Sequence, residues 1–137
     1  MIDSVYIDTS CLMKVLVTEP ESDQIEAIIA DQDQVIVSSL TELELRNRLL
    51  ALRRGGVIRE RHHRALTKEV ERLLKVSPFQ VETLAGTVFD LAIKQIERRG
   101  AVYCRSLDRL HLAAMQALGL KSILTTDARQ VAAAKSS

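Results

Sequence analysis

Acidic side chains follow short apolar segments at several points of this sequence. Asp8 closes "VYID", Asp127 closes "ILTTD", and Asp108 opens the segment "LDRLHLAAM". A further pair of acids stands in "LTELEL" (40–45), shortly after the apolar run "VIV". Carboxylates brought close together disfavour shared ionisation unless a cation neutralises them. Oxygen-only ligands of this type suit Mg²⁺ or Mn²⁺, which keep several waters and often bind together with phosphate groups.

A divalent ion held in this way predicts phosphoryl chemistry. Such a metal lowers the pKa of a bound water and stabilises negative charge on a phosphoryl oxygen. Zinc is not indicated, because the chain has two isolated cysteines and "RHH" (61–63) does not space its histidines as a metal pair. Hydroxyl residues stand beside three of the acids, at Thr9, Ser10, Ser106, Thr125 and Thr126.

Each acid also has a purely structural interpretation. Aspartate is a favoured N-cap, so Asp8, Asp108 and Asp127 could each cap the helix that follows. Glu42 and Glu44 could be ordinary acids on the surface of a helix. The joint pattern favours a site, because three junctions with a helix each combine an acid with hydroxyl neighbours.

The composition predicts one soluble globular domain that spans 1–137. Hydrophobic residues make up 47% of the chain and charged residues 27%. Nineteen basic and eighteen acidic side chains leave a net charge of +1, which gives no global attraction to nucleic acid or to a membrane. We find neither a signal-peptide pattern nor an apolar run long enough to span a bilayer. We therefore expect a cytoplasmic protein in which Cys11 and Cys104 are buried thiols.

Short β-branched segments alternate with longer helical ones. Strands are predicted at 5–7, 35–37, 78–83 and 121–127. Helices are predicted at 19–31, 40–56, 57–76, 84–100 and 107–119, and a short tail helix at 128–134. Strands that are apolar throughout predict a parallel sheet covered on both faces, which is a three-layer α/β/α sandwich. Ligands of such folds bind beyond the carboxyl ends of the strands, where these acids are expected.

Four segments resemble motifs of the PIN-domain ribonucleases, in particular the toxins of the VapC type. They occur in the family's order and at its usual separations, and the resemblance covers essentially the whole chain. Each segment alone is a weak signal, whereas the four in order are specific. The segments are "YIDTSCLMKVL" (6–16), "SSLTELELRNRL" (38–49), "RSLDRLHLAAMQALG" (105–119) and "ILTTDARQ" (123–130).

The resemblance implies a doubly wound α/β/α fold and a Mg²⁺- or Mn²⁺-dependent endoribonuclease activity. It also implies a small antitoxin protein as partner and a homodimer as the common assembly. The small hydroxyl residues near the first and last acids are Ser10 and Thr125, which would orient the acids or a bound water. Carried over by position, the four acids of the site are Asp8, Glu44, Asp108 and Asp127.

The segment "LTELEL" leaves a choice between two acids. The family's acid usually stands four residues after the leucine of "SLT", which selects Glu44. Glu42 would point roughly 200° away around a helix, so only one of the two can face the other acids. His111 lies one helical turn after Asp108 and could either contact the acids or pack between helices.

The segment 46–64 is the one dense basic region, with seven arginines and the neighbouring His62 and His63. Three interpretations stay open for it: binding of RNA phosphates, contact with the antitoxin, or a solvated surface paired with acids. Exposed apolar residues on these helices could also serve a homodimer. The sequence contains no readable code for the RNA that is cut.

Two other classes of protein remain as alternatives. A receiver-type signalling domain also gathers acids at strand ends, but it normally has paired acids at its first strand and a phospho-acceptor after its third. Here the first strand carries one acid, and the third predicted strand ends at Glu82 and Thr83. The second alternative is a catalytically silent PIN-like module that only binds a partner. A nucleotide-binding loop is not indicated, since no glycine-rich motif follows the first strand.

Overall fold

The computed structural model describes residues 3–126 and consists of one parallel sheet with helices on both faces. The strands pair in the order β3-β2-β1-β4. They are β1 (Ser4–Ile7), β2 (Gln34–Ser38), β3 (Phe79–Glu82) and β4 (Ile123–Leu124). The helices are α1 (Thr9–Leu16), α2 (Ser22–Ala30), α3 (Ser39–Arg54), α4 (Glu60–Leu73), α5 (Val88–Glu97) and α6 (Ser106–Ala117).

Alternation along β1 divides the core between the two faces of the sheet. Val5 and Ile7 pack on one face with buried residues of α1, α2, α3 and α4. Tyr6, between them, points to the opposite face and packs with residues of α6. Ala113 of α6 packs in turn against α5. The predicted three-layer α/β/α sandwich is therefore confirmed, and its strands are apolar on both faces because both faces are covered.

The strand order brings the carboxyl end of β1 to the centre of the sheet. The chain runs outward from β1 through β2 to β3, and β4 then pairs with β1 on the other side. The order thus reverses beside β1, at the kind of position where open parallel sheets bind ligands. Residues that follow β1 and β2 consequently reach the same rim of the molecule.

Local structure departs from the sequence-based expectations in a few places. The segment directly after β1, to which no helix was assigned, forms α1. Three apolar residues within the predicted helices are exposed: Ile28, Leu43 and Ile96. The predicted tail helix at 128–134 lies outside the described residues. Within 3–126, no helix combines the length and the apolar character that crossing a membrane requires.

Candidate active site

A small pocket at the carboxyl ends of β1 and β2 collects three of the predicted acids. Helix α1 brings residues directly after β1, helix α3 those one turn after β2, and helix α6 those of its first turns. The pocket is lined by Asp8, Thr9, Ser10, Glu44, Arg48, Arg105, Asp108 and His111. The acids therefore come from three different helix starts and not from one local motif.

Asp8 is both a helix cap and a wall of this pocket. Its side chain accepts a hydrogen bond of 3.0 Å from the backbone N–H of Cys11, which caps α1. The Ser10 hydroxyl donates to the same carboxylate oxygen at 2.8 Å, and the Thr125 hydroxyl donates to the other. Asp8 is only 4% exposed. A carboxylate this buried needs such donors, so the cap and the two hydroxyls also fix its orientation.

Glu44, and not Glu42, lines the pocket. The Thr9 hydroxyl donates to Oε1 of Glu44 at 2.9 Å, and Nε2 of His111 contacts the same oxygen. Glu42 instead accepts a hydrogen bond of 2.9 Å from Arg46, one turn further along α3. The 3.6-residue period of the helix explains this division, because residues two positions apart lie on nearly opposite faces.

The environment of Glu44 favours its ionised form. Burial acts to raise the pKa of Glu44, since it penalises the charged carboxylate. The hydrogen bonds from His111 and Thr9, together with the charge of Arg48, outweigh this effect and hold the pKa of Glu44 below its usual value. Glu44 is therefore a carboxylate at neutral pH.

Asp108 stands in the first turn of α6 and is 8% exposed. Arg105, at the N-cap position, donates from Nε to Oδ2 of Asp108 at 3.0 Å. A carboxylate in this position is favoured by the N-terminal end of the helix dipole. The structure therefore pairs Asp108 with a cation at the edge of the pocket, and Asp108 does not itself occupy the cap position.

A buried tyrosine connects to the pocket, and no sequence motif singled it out. The Tyr6 phenol lies 2.5 Å from Nδ1 of His111 and 2.7 Å from the Ser38 hydroxyl. Burial raises the pKa of Tyr6 to about 12, so the phenol stays protonated at neutral pH. The available signal was a phenol inside a strand that is otherwise apolar, because a buried phenol needs a polar partner.

His111 both contacts Glu44 and packs in the core, so neither of its two interpretations excludes the other.

The donor chemistry of the pocket suits a hard divalent cation. The three acids and their hydroxyl neighbours offer oxygen ligands, which Mg²⁺ and Mn²⁺ prefer. Over residues 3–126, however, no three acidic, histidine or cysteine side chains converge as ligands of a single ion. The carboxylates are engaged by protein donors, and a cation would compete with these. Asp127, the fourth predicted acid, lies outside the described residues.

Comparison with known proteins gives the family of the chain. Ribonuclease VapC46 of Mycobacterium tuberculosis is 32% identical to it over 134 residues, which cover 96% of this chain and 91% of the relative. Among solved structures, FitAcB from Neisseria gonorrhoeae matches with a TM-score of 0.76 and 18% identity, and covers 96% of this chain and 93% of its own.

Two further solved structures have the same fold. The sarcin-ricin loop cleaving toxin VapC20 of Mycobacterium tuberculosis matches with a TM-score of 0.69 and 18% identity over 94% of both chains. A toxin-antitoxin complex from Klebsiella pneumoniae matches with a TM-score of 0.61 and 17% identity over 90% of this chain and 86% of its own. The family model of the PIN domain matches residues 5–136. The chain therefore belongs to the PIN domain family.

Proposed function

We propose that this PIN domain is a Mg²⁺- or Mn²⁺-dependent endoribonuclease and the toxin of a toxin-antitoxin pair. One observation carries the proposal: Asp8, Glu44 and Asp108, which are distant in sequence, line one pocket at the carboxyl ends of the strands. The relationship to a protein named ribonuclease VapC46 supports the same activity. Membership of the PIN family also removes the receiver-type alternative.

The acids of the pocket, together with Asp127, are the proposed ligands of the ion. A bound divalent ion supplies charge neutralisation on the phosphate oxygens and a more acidic water. The chain itself supplies orientation: Ser10 and Thr125 hold the carboxylate of Asp8, and Thr9 holds that of Glu44. Phosphodiester hydrolysis at this site needs no covalent intermediate with the protein.

Two arginines give the acidic pocket an affinity for a polyanion. Arg48 and Arg105 line it beside the acids, and Arg105 already contacts Asp108. An RNA phosphate that approaches the pocket would meet these guanidinium groups, which bind phosphate in a bidentate geometry. RNA in the cytoplasm is therefore the proposed substrate. The rest of the basic segment is a proposed extension of the RNA-binding surface, with Arg46 already paired to Glu42.

Removal of divalent metal tests the activity directly. We expect purified protein with Mg²⁺ or Mn²⁺ to cleave RNA, and EDTA to abolish the cleavage, because the acids alone cannot stabilise a charged phosphate. Added Mn²⁺ in excess of the chelator should restore it. Gel analysis of a structured RNA pool measures the products. A protein that leaves RNA intact under all these conditions is the catalytically silent binding module instead.

The genomic neighbourhood tests the toxin role separately. A small antitoxin is the proposed protein partner, since one solved structure of this fold is a toxin-antitoxin complex. A short open reading frame for a DNA-binding protein directly upstream would support this partner.

We also propose a homodimer, with its interface on α5. The sequence suggested apolar residues of the arginine-rich helices, and Leu43 of α3 is such an exposed residue. A row of three exposed apolar residues lies on α5: Phe89, Ile93 and Ile96. Beside Phe89 lies a groove of about 330 Å³ that Leu43 and Leu110 help to line. A two-fold interface uses the same patch on both copies, and this patch offers both a ridge and a groove.

Solution mass tests the homodimer. We expect the wild type to run as a dimer in light scattering after gel filtration. Phe89→Glu places a charge in the ridge and should convert it to a monomer. Val57→Glu is the matched control, because Val57 is also largely exposed, lies between α3 and α4, and should leave the mass unchanged when substituted. A wild-type protein that is monomeric at high concentration contradicts the proposal.

A further inference from the structure

The carboxylate of Glu44 is connected to the interior of the protein by a continuous set of polar contacts. Nε2 of His111 contacts Oε1 of Glu44, and Nδ1 of the same ring lies 2.5 Å from the Tyr6 phenol. The phenol in turn lies 2.7 Å from the Ser38 hydroxyl. His111 is 2% exposed and Tyr6 is fully buried, so water does not substitute for these partners.

The directions of these hydrogen bonds follow from the group at each end. An ionised carboxylate can only accept, so His111 must donate from Nε2 to Glu44. A ring that carries its proton on Nε2 alone accepts at Nδ1, where the phenol of Tyr6 donates. The phenol oxygen accepts from Ser38, while the Thr41 hydroxyl donates to the backbone carbonyl of Ile7 at 3.3 Å. Each hydroxyl hydrogen is thus directed to one acceptor, so these groups form one continuous series of hydrogen bonds.

Both donors to Glu44 reach the same oxygen. Thr9 and His111 converge on Oε1, and within residues 3–126 Oε2 receives no protein hydrogen bond. A carboxylate held in this way by two donors cannot rotate without breaking both bonds. One oxygen is thus committed to the protein, and the other is left to the pocket.

We infer that Tyr6 and His111 are positioning residues that hold Glu44 with Oε2 presented to the bound cation or to water. The inference rests on the proposed function and goes further, since it assigns a role to a buried pair that is not among the predicted acids and hydroxyl residues of the site. His111 contacts Glu44 from α6, and Tyr6 of β1, which is 105 residues from His111 in sequence, contacts the other nitrogen of the ring. Two apolar side chains in place of Tyr6 and His111 would fill the same volume without polar groups that need partners. Packing alone therefore does not explain this series of hydrogen bonds.

The tautomer of His111 is the first test, and it needs neither metal nor RNA. In ¹⁵N-labelled wild-type protein, we expect a two-bond ¹H–¹⁵N spectrum to show His111 protonated at Nε2. Tyr6→Phe removes the donor to Nδ1 and should shift the Nδ1 resonance. Tyr103→Phe, at an exposed tyrosine, should leave it unchanged. A ring protonated at Nδ1 and not at Nε2 would overturn the inference, because His111 could then not donate to Glu44.

Metal affinity is the second test. We expect His111→Leu to weaken Mn²⁺ binding by about tenfold, the usual effect of losing a partner that orients a ligand. His111→Gln, which keeps an amide donor near the position of Nε2, should recover most of this loss. His62→Leu, on the exposed surface of α4, should bind as the wild type does. Calorimetric titration of Mn²⁺ into the metal-free protein measures all four, and circular dichroism verifies that each variant is folded.

Coupling to Glu44 separates positioning from a general structural effect. In a Glu44→Gln background, His111→Leu should cause no further loss of Mn²⁺ affinity, because the oriented oxygen is already gone. An equal loss in both backgrounds would overturn the inference and make His111 a packing residue. Should His111→Leu fail to fold, Tyr6→Phe, which keeps the ring, serves in the same cycle.

The two proposals fail in different ways. Wild-type protein that neither binds Mn²⁺ nor cleaves RNA contradicts the proposed function, and with it this inference. Wild-type protein that binds Mn²⁺ and cleaves RNA, with His111→Leu binding equally tightly, contradicts the positioning role alone.

Discussion

Replacing Asp8 with asparagine is expected to lower RNA cleavage by about 10²–10³-fold while the protein stays folded. The substitution removes a negative charge from the pocket, and with it one of the proposed ligands of the cation. It does not remove the helix cap, because the asparagine amide oxygen can still accept from the N–H of Cys11. The loss of activity therefore cannot be assigned to an unfolded α1. Cleavage of RNA with Mn²⁺, measured beside thermal unfolding, checks both parts of this prediction.

The matched control for Asp8→Asn is Asp90→Asn. Asp90 lies exposed in the first turn of α5, so its neutralisation changes the net charge equally but leaves the pocket intact. We expect full activity from this variant. In cells, induced expression of the wild type and of Asp90→Asn should arrest growth, whereas Asp8→Asn should not. Wild-type cleavage by Asp8→Asn would remove Asp8 from the site.

Glu44→Gln is expected to lower cleavage by about a hundredfold, and Glu42→Gln to leave it at the wild-type rate. The two residues lie in the same two turns of α3 and carry the same side chain, so the pair is a close comparison of position alone. Glu44 reaches the pocket and is ionised there, held by Thr9 and His111. Glu42 forms an ion pair with Arg46 that is half-exposed and contributes only about 0.3–0.5 kcal/mol to stability.

Steady-state kinetics on one RNA substrate distinguishes the two glutamates. A loss in Glu44→Gln that excess Mn²⁺ partly restores would indicate a ligand role, because a weakened site fills at higher metal concentration. The reverse pattern, with Glu42→Gln inactive and Glu44→Gln active, would show that the site uses the other face of α3 and would contradict the pocket described above.

The positions of the acids show how much of the site can be predicted from the sequence pattern. Short apolar segments at 5–7 and 35–37 are sufficient to predict covered parallel strands, because such strands must be apolar on both faces. Since parallel strands end at a common rim, the acid after the first strand and the acids one turn after the second were expected near each other. For Asp8 and Glu44 the structure has this proximity. Asp127 lies outside the described residues, so its place in the site is still a prediction.

Which residues face the pocket and which face solvent depended on how the helices pack against the sheet. The helical period separates Glu42 from Glu44, but only the placement of α3 against β1 decides which of them faces the pocket. Likewise, Leu43 and Ile96 follow an apolar pattern, yet Leu43 is 66% exposed because no element within residues 3–126 covers it. The aspartate of a helix cap and that of an active site look identical in sequence, and Asp8 is found both to cap α1 and to line the pocket.

By itself, the sequence determined the fold class, the order of the elements apart from α1, and the candidate acids, because these depend on local periodicity and on motifs in a fixed order. The tertiary structure alone decided the long-range contacts around those acids. Tyr6 meets His111 across 105 residues, and Thr9 meets Glu44 across 35 residues. Such pairings have no local signature, since they arise from the packing of helices on a sheet and from the need of each buried polar group to find a partner.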